Sequence, residues 1–89
     1  MKSRATRRFW ALYRKLPEEV QEQARRAYAQ FAVDPGHPSL RFKRVHAEES
    51  VYSTRVTRGY RALGLLEGDT VTWFWIGGHD DYDLLLRNL

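Results

Sequence analysis

Residues 51–66 read VYSTRVTRGYRALGLL. Two runs rich in β-branched and apolar residues, 51–57 and 60–66, flank Arg58-Gly59. Alternation of period two on either side of a glycine-containing dipeptide predicts two strands joined by a tight turn. A connection that short makes them antiparallel. Downstream, Glu67-Gly68-Asp69 predicts a second turn. Thr70 to Ile76 is the most strand-like segment of the chain, nearly all Thr, Val, Trp and Phe. Upstream, His46 to Ser50 is polar and reads as a loop. Leu40 and Phe42 alternate with Arg41 and Lys43, which predicts a first strand near 40–45.

Further out the period changes. Thr6 is placed to cap a helix that carries Phe9, Leu12, Tyr13 and Leu16 at helical spacing; the alternative for the few residues ahead of it is an edge strand. Pro17 suits a first helical position, and Glu18 and Glu19 sit where the helix dipole favours anions. Val20, Ala24, Ala27, Tyr28 and Phe31 form one apolar stripe, with Glu22 and Arg26 paired four apart on another face. Asp34-Pro35-Gly36-His37-Pro38 stops this helix. Residues 6 to 34 therefore predict a helical hairpin broken near Leu16-Pro17. After Gly77-Gly78, Tyr82, Leu85, Leu86 and Leu89 recur at helical spacing. The expected class is α+β: an N-terminal helical hairpin packed on a twisted antiparallel sheet of three to four strands, then a short C-terminal helix.

A chain of 89 residues, 43% hydrophobic and 29% charged, is expected to form one globular domain spanning 1–89. It has no cysteine, which excludes disulfide and thiolate chemistry. No apolar run approaches the roughly 18 residues of a membrane span, and the basic start MKSRATRR lacks a signal peptide's apolar stretch. A cytoplasmic location is the expectation. Fifteen Lys and Arg against eleven acids give a net charge of +4. Such a surface either attracts a polyanion, nucleic acid or an acidic protein segment, or is simply solvated.

Strand parity sorts the candidate groups. Val51, Ser53, Arg55 and Thr57 share one face, and Arg61 sits with Leu63 and Leu65. In regular register 56 lies opposite 61; a bulge at Gly59 would shift this by one and bring Arg55 and Arg61 onto one face. Arg61 then either serves a phosphate with its planar fork or pairs with Glu48, Glu49 or an aspartate at the sheet's end. Lys43 and Arg41 would extend the patch. In Trp73-Phe74-Trp75-Ile76-Gly77-Gly78-His79-Asp80-Asp81-Tyr82-Asp83, the two tryptophans share a face by parity and read as core. His79 is a proton carrier near neutral pH or a surface residue at a turn. Tyr82 stacks on a base or joins the core stripe, and Asp80 or Asp81 caps the helix. His79 and Asp83, four apart, suggest half of a metal site, but no second histidine is near in sequence, so no metal is expected.

The ordered set Leu16-Pro17, His37-Pro38-Ser39-Leu40-Arg41-Phe42-Lys43, Val51 to Val56, Gly59-Tyr60-Arg61-Ala62-Leu63 and Trp73 to His79 resembles the RelE/ParE superfamily of toxins from type II toxin–antitoxin systems. The ending is similar to the plasmid-stabilisation subgroup with His-x-x-Tyr-Asp. The resemblance implies a ribosome-dependent, metal-independent and cofactor-free mRNA endoribonuclease that inhibits translation. It assigns catalysis to Arg61 and His79, and RNA binding to Arg55, Lys43, Arg41 and Tyr82. It implies an antitoxin, expected to be acidic, and the ribosome and mRNA as partners. Within the same fold the ParE branch inhibits DNA gyrase without chemistry, and an inactive antitoxin-binding relative is a third reading. Ser53 stands where a basic residue is frequent, Asp80 where an arginine often follows the Gly-His, and Tyr82 comes earlier than in the RelE pattern.

Overall fold

The computed structural model describes residues 1–88. In chain order it forms β1 (Lys2–Ala5), α1 (Arg7–Arg14), α2 (Glu18–Val33), a 3-10 turn (Pro38–Leu40), β2 (Lys43–Arg44), β3 (Val51–Thr57), β4 (Tyr60–Glu67), β5 (Thr70–Gly78) and α3 (His79–Arg87). The strands make one sheet in the order β1-β5-β4-β3-β2. The α+β class and the helical hairpin stand as expected. The sheet has five strands, and both readings of the N-terminus hold at once. Residues 2–5 pair with β5, parallel, as an edge strand. Thr6 then caps α1, its side chain accepting from the Phe9 N–H at 3.1 Å.

The hairpin breaks where Leu16-Pro17 predicts. Pro17 occupies the N-cap of α2, one place ahead of the first helical residue, and Glu18 and Glu19 fill the first turn. The Glu22–Arg26 pair closes at 2.9 Å. The expected first strand at 40–45 shrinks to two residues. Pro38 starts a 3-10 turn whose His37 ring nitrogen accepts from the Ser39 N–H, Leu40 is the turn's buried last residue, and Arg41 closes it with φ 48°. A left-handed arginine cannot continue a strand, so pairing begins only at Lys43.

Two apolar clusters flank the sheet. Phe31, Leu40, Ala62, Val71, Trp73 and Ile76 form one, packed beneath the stripes of α1 and α2. Val51, Leu63, Trp75 and Tyr82 form the other, covered by Leu85 and Leu86 of α3. Trp73 and Trp75 therefore lie on opposite faces, contrary to simple parity. The cause is a bulge in β5: Leu63 pairs with Trp75 and the next residue, Gly64, pairs with Trp73, leaving Phe74 as the extra residue. Gly64 is where the backbone lets Trp73 in, since a Cβ there would lie 2.5 Å from Val71 Cγ1 and 2.7 Å from Trp73 Cε3.

Candidate functional site

The β3–β4 register sets the site. Pairing runs from Val51 opposite Leu65 to Arg55 opposite Arg61, then Thr57 opposite Tyr60. The extra residue is Val56, so the bulge sits two places before the turn at Arg58-Gly59, not at Gly59 itself. Its effect is the one required: Arg55 and Arg61 become direct cross-strand neighbours. Directly opposed residues stand roughly 4.5–5.5 Å apart at Cα, a distance at which like charges repel unless an anion lies between them. On the far side of β4, Arg61 is opposite Gly77. The Trp75 ring lies over Gly77, where a Cβ would come within 2.7 Å of Cζ2.

Arg61 is half-buried, and its Nη1 donates to the carbonyls of Thr57 (2.8 Å) and Tyr60 (3.1 Å). These bonds fix the guanidinium against the hairpin turn. Among the described residues it meets no carboxylate, so of the two alternatives the pairing with Glu48, Glu49 or an aspartate does not form. Three of its five N–H donors, on Nε and Nη2, remain for a ligand.

His79 opens α3 immediately beyond the Tyr60–Gly78 pair, and its backbone N–H donates to the Gly59 carbonyl at 2.8 Å. It thus stands at the same end of the sheet as Arg61. Gly78, with no side-chain bond, is the N-cap; Asp80 and Asp81 are in the first turn and cap nothing. The His79 ring stacks on Tyr82 (centroids 6.0 Å, 22° between planes), and Nε2 lies 3.4 Å from Asp83 Oδ2. That is longer than a well-formed hydrogen bond, and both side chains are about half exposed. Tyr82 itself is 7% exposed and tilted against Trp75. Its ring supports His79 from below and is not an open platform for a base. Among the described residues no group of three or more His, Cys, Asp or Glu is placed to hold a metal ion.

Lys43 pairs opposite Ser53 on the sheet's edge and is exposed, as is Arg41 on the preceding turn. Ser53, at the position the RelE resemblance gives as frequently basic, is 2% exposed and closed over.

A model of the ParE-like toxin domain matches residues 18–83, from the start of α2 into α3. The chain belongs to the ParE-like toxin domain family. Solved structures of RelE/ParE superfamily toxins share its fold. The RelB–RelE antitoxin–toxin complex from Methanococcus jannaschii aligns with TM-score 0.74 at 14% identity, covering 91% of this chain and 96% of that one. The YoeB/ParE toxin from Agrobacterium tumefaciens gives 0.69 at 15%, with 89% and 99% covered. The isolated E. coli RelE toxin gives 0.66 at 18%, with 99% and 98% covered. A comparison with curated protein sequences gave no match.

The N-terminal elements form a second surface of this domain. A groove of about 350 Å³ runs between α1, α2 and β1, floored by Phe9, Ala24 and Trp73 and flanked by Trp10 and Tyr28, which are 45% and 53% exposed. Arg4 and Arg25 lie on its border. Among the described residues the buried Trp73 Nε1 donor has no partner. Its mark in the sequence is Trp10, an aromatic lying off the stripe of Phe9, Leu12, Tyr13 and Leu16.

Proposed function

We propose that this protein is the toxin of a type II toxin–antitoxin system and halts translation by cleaving mRNA on the ribosome. The carrying observation is the Arg55–Arg61 cross-strand pair, without carboxylate partners among the described residues, at the same end of the sheet as His79. In such a cleavage the ribose 2′-oxygen attacks the adjacent phosphorus. The 2′-O–P bond forms, the P–O5′ bond breaks, one proton leaves the 2′-OH and one reaches O5′. Arg61, with its Nε–Nη2 edge free, takes two phosphate oxygens and stabilises the charge that grows on them. His79 carries one of the two protons, its ring stacked on Tyr82. Arg55, Lys43 and Arg41 attract the strand. The cations in this reading are side chains, with no cofactor, and the location is the cytoplasm, where ribosomes are.

The test is induced expression followed by mapping of mRNA 5′ ends on ribosomes. Cuts at a fixed position within codons are expected. Growth arrest with unchanged ends would sink the nuclease reading.

The partner in this reading is an antitoxin, as in the archaeal RelB–RelE complex. The apolar groove with its arginine border suits an acidic, amphipathic helix. One feature favours a second reading: Asp80 and Asp81 beside His79 repel an RNA phosphate. That is compatible with a ParE-like inhibitor of DNA gyrase, for which DNA-damage signalling and intact mRNA are expected.

A further inference from the structure

On the outer side of Arg55 lies a second cavity, of about 280 Å³, between α2 and the free edge of β3. Its polar lining is Gln23, Arg26, Gln30, Ser39 and Arg55. β2 pairs only as far as Ser53, so β3 is unpaired beyond it and this edge is open. Gln23, Arg26 and Gln30 fall at i, i+3 and i+7, one stripe of α2 beside the apolar stripe that faces the sheet. Among the described residues no carboxylate lines the cavity. Among the described residues the side chains of Gln23, Gln30 and Arg55 have no hydrogen-bond partner of their own, while Ser39 Oγ is engaged by His37 Nδ1 at 2.7 Å. Arg26 is held by Glu22 at 2.9 Å, but those side chains are 69% and 54% exposed. A pair so open to water is weak and yields to a phosphate.

Two arginines and two glutamines line one space, with no acid among the described residues there, a set that suits a phosphodiester flanked by a ribose or base edge. The guanidinium fork binds the phosphate, and a carboxamide both donates and accepts. Arg55 joins this cavity to Arg61, since it borders the one and stands opposite the other. We infer that the α2–β3 cavity is a second nucleotide subsite, binding single-stranded RNA one or more nucleotides away from the phosphate at Arg61. This inference rests on the mRNA-cleavage reading. It gives α2 a role in gripping the strand and makes affinity depend on strand length.

The experiment uses the full chain and two fluorescein-labelled, 2′-O-methylated RNA probes, a dinucleotide and an octanucleotide, read by polarisation. The wild type should bind the octanucleotide at least about tenfold more tightly. Arg26→Ala, at an exposed position, and Gln30→Ala, at a half-buried one, should weaken octanucleotide binding about three- to tenfold and dinucleotide binding far less. Arg26→Ala should also lower the slope of log affinity against log salt by about 0.7, one phosphate contact on a single strand. Arg61→Ala should weaken both probes. Octanucleotide binding equal to wild type in both α2 variants overturns the inference. So does an acidic peptide that binds through Arg26 while RNA does not. The same variants are carried through ribosomal 5′-end mapping. Cuts that persist beside unaltered octanucleotide binding mean that only the subsite is wrong, whereas no cuts by the wild type bring down the nuclease reading itself.

Discussion

Arg61 illustrates how one side chain is prepared by its neighbours. Two backbone carbonyls hold its Nη1, so the rest of the fork is fixed in direction before any ligand arrives. Arg61→Lys keeps the charge and loses the fork. If the nuclease reading holds, both Arg61→Lys and Arg61→Ala should reduce single-turnover cleavage on programmed ribosomes by about 10²-fold or more, with far-UV circular dichroism unchanged. A lysine variant of full activity would mean that only charge matters there. Gly64 is a residue-scale constraint of another kind. Gly64→Ala drives a methyl into Val71 and Trp73, and a denaturant titration should show a loss of about 1–3 kcal/mol. Thr6→Ala removes the acceptor for the Phe9 N–H and should cost about 1 kcal/mol in the same assay.

The elements themselves were largely legible. Alternation in 51–57 and 60–66, the turn at Arg58-Gly59 and the helical spacing of Tyr82, Leu85 and Leu86 give β3, β4 and α3 close to their observed bounds. What alternation does not carry is an extra residue. Val56 and Phe74 are each unexceptional strand residues, yet each absorbs one step of register. The first aligns Arg55 with Arg61; the second sends Trp73 to the helices and Trp75 to α3. A bulge is decided by what packs on the two faces, here Trp73 against Phe31 on one side and Trp75 against Tyr82 on the other. The C-terminal helix then depends on that packing. Tyr82→Ala empties a buried site and should destabilise the fold by about 3 kcal/mol or more, releasing the ring that supports His79. Tyr82→Phe keeps the stack and should leave both stability and His79-dependent activity near wild type. Chemical denaturation with parallel cleavage assays separates the two.

At the scale of the molecule, two surfaces are candidates for different roles. The Arg55–Arg61 end of the sheet carries the candidate chemistry, and the Trp10–Tyr28 groove lies among the N-terminal elements. Trp10→Glu, at an exposed position, should abolish capture of a co-expressed antitoxin while leaving toxicity intact, as read by pull-down and by growth after induction. Loss of toxicity with antitoxin binding retained would assign the groove to the target instead. The sequence by itself determined the element order, the α+β class and the family resemblance, because those follow from periodicity, turn chemistry and ordered motifs that are local in the chain. It also marked Arg61 and His79 as groups worth locating. Tertiary structure alone decided that Arg61 has no carboxylate partner among the described residues, that Ser53 and Tyr82 are buried, and that residues 2–5 add an edge strand to the sheet. Each of these depends on contacts between different elements, where packing chooses the register and a single added residue changes which side chains meet.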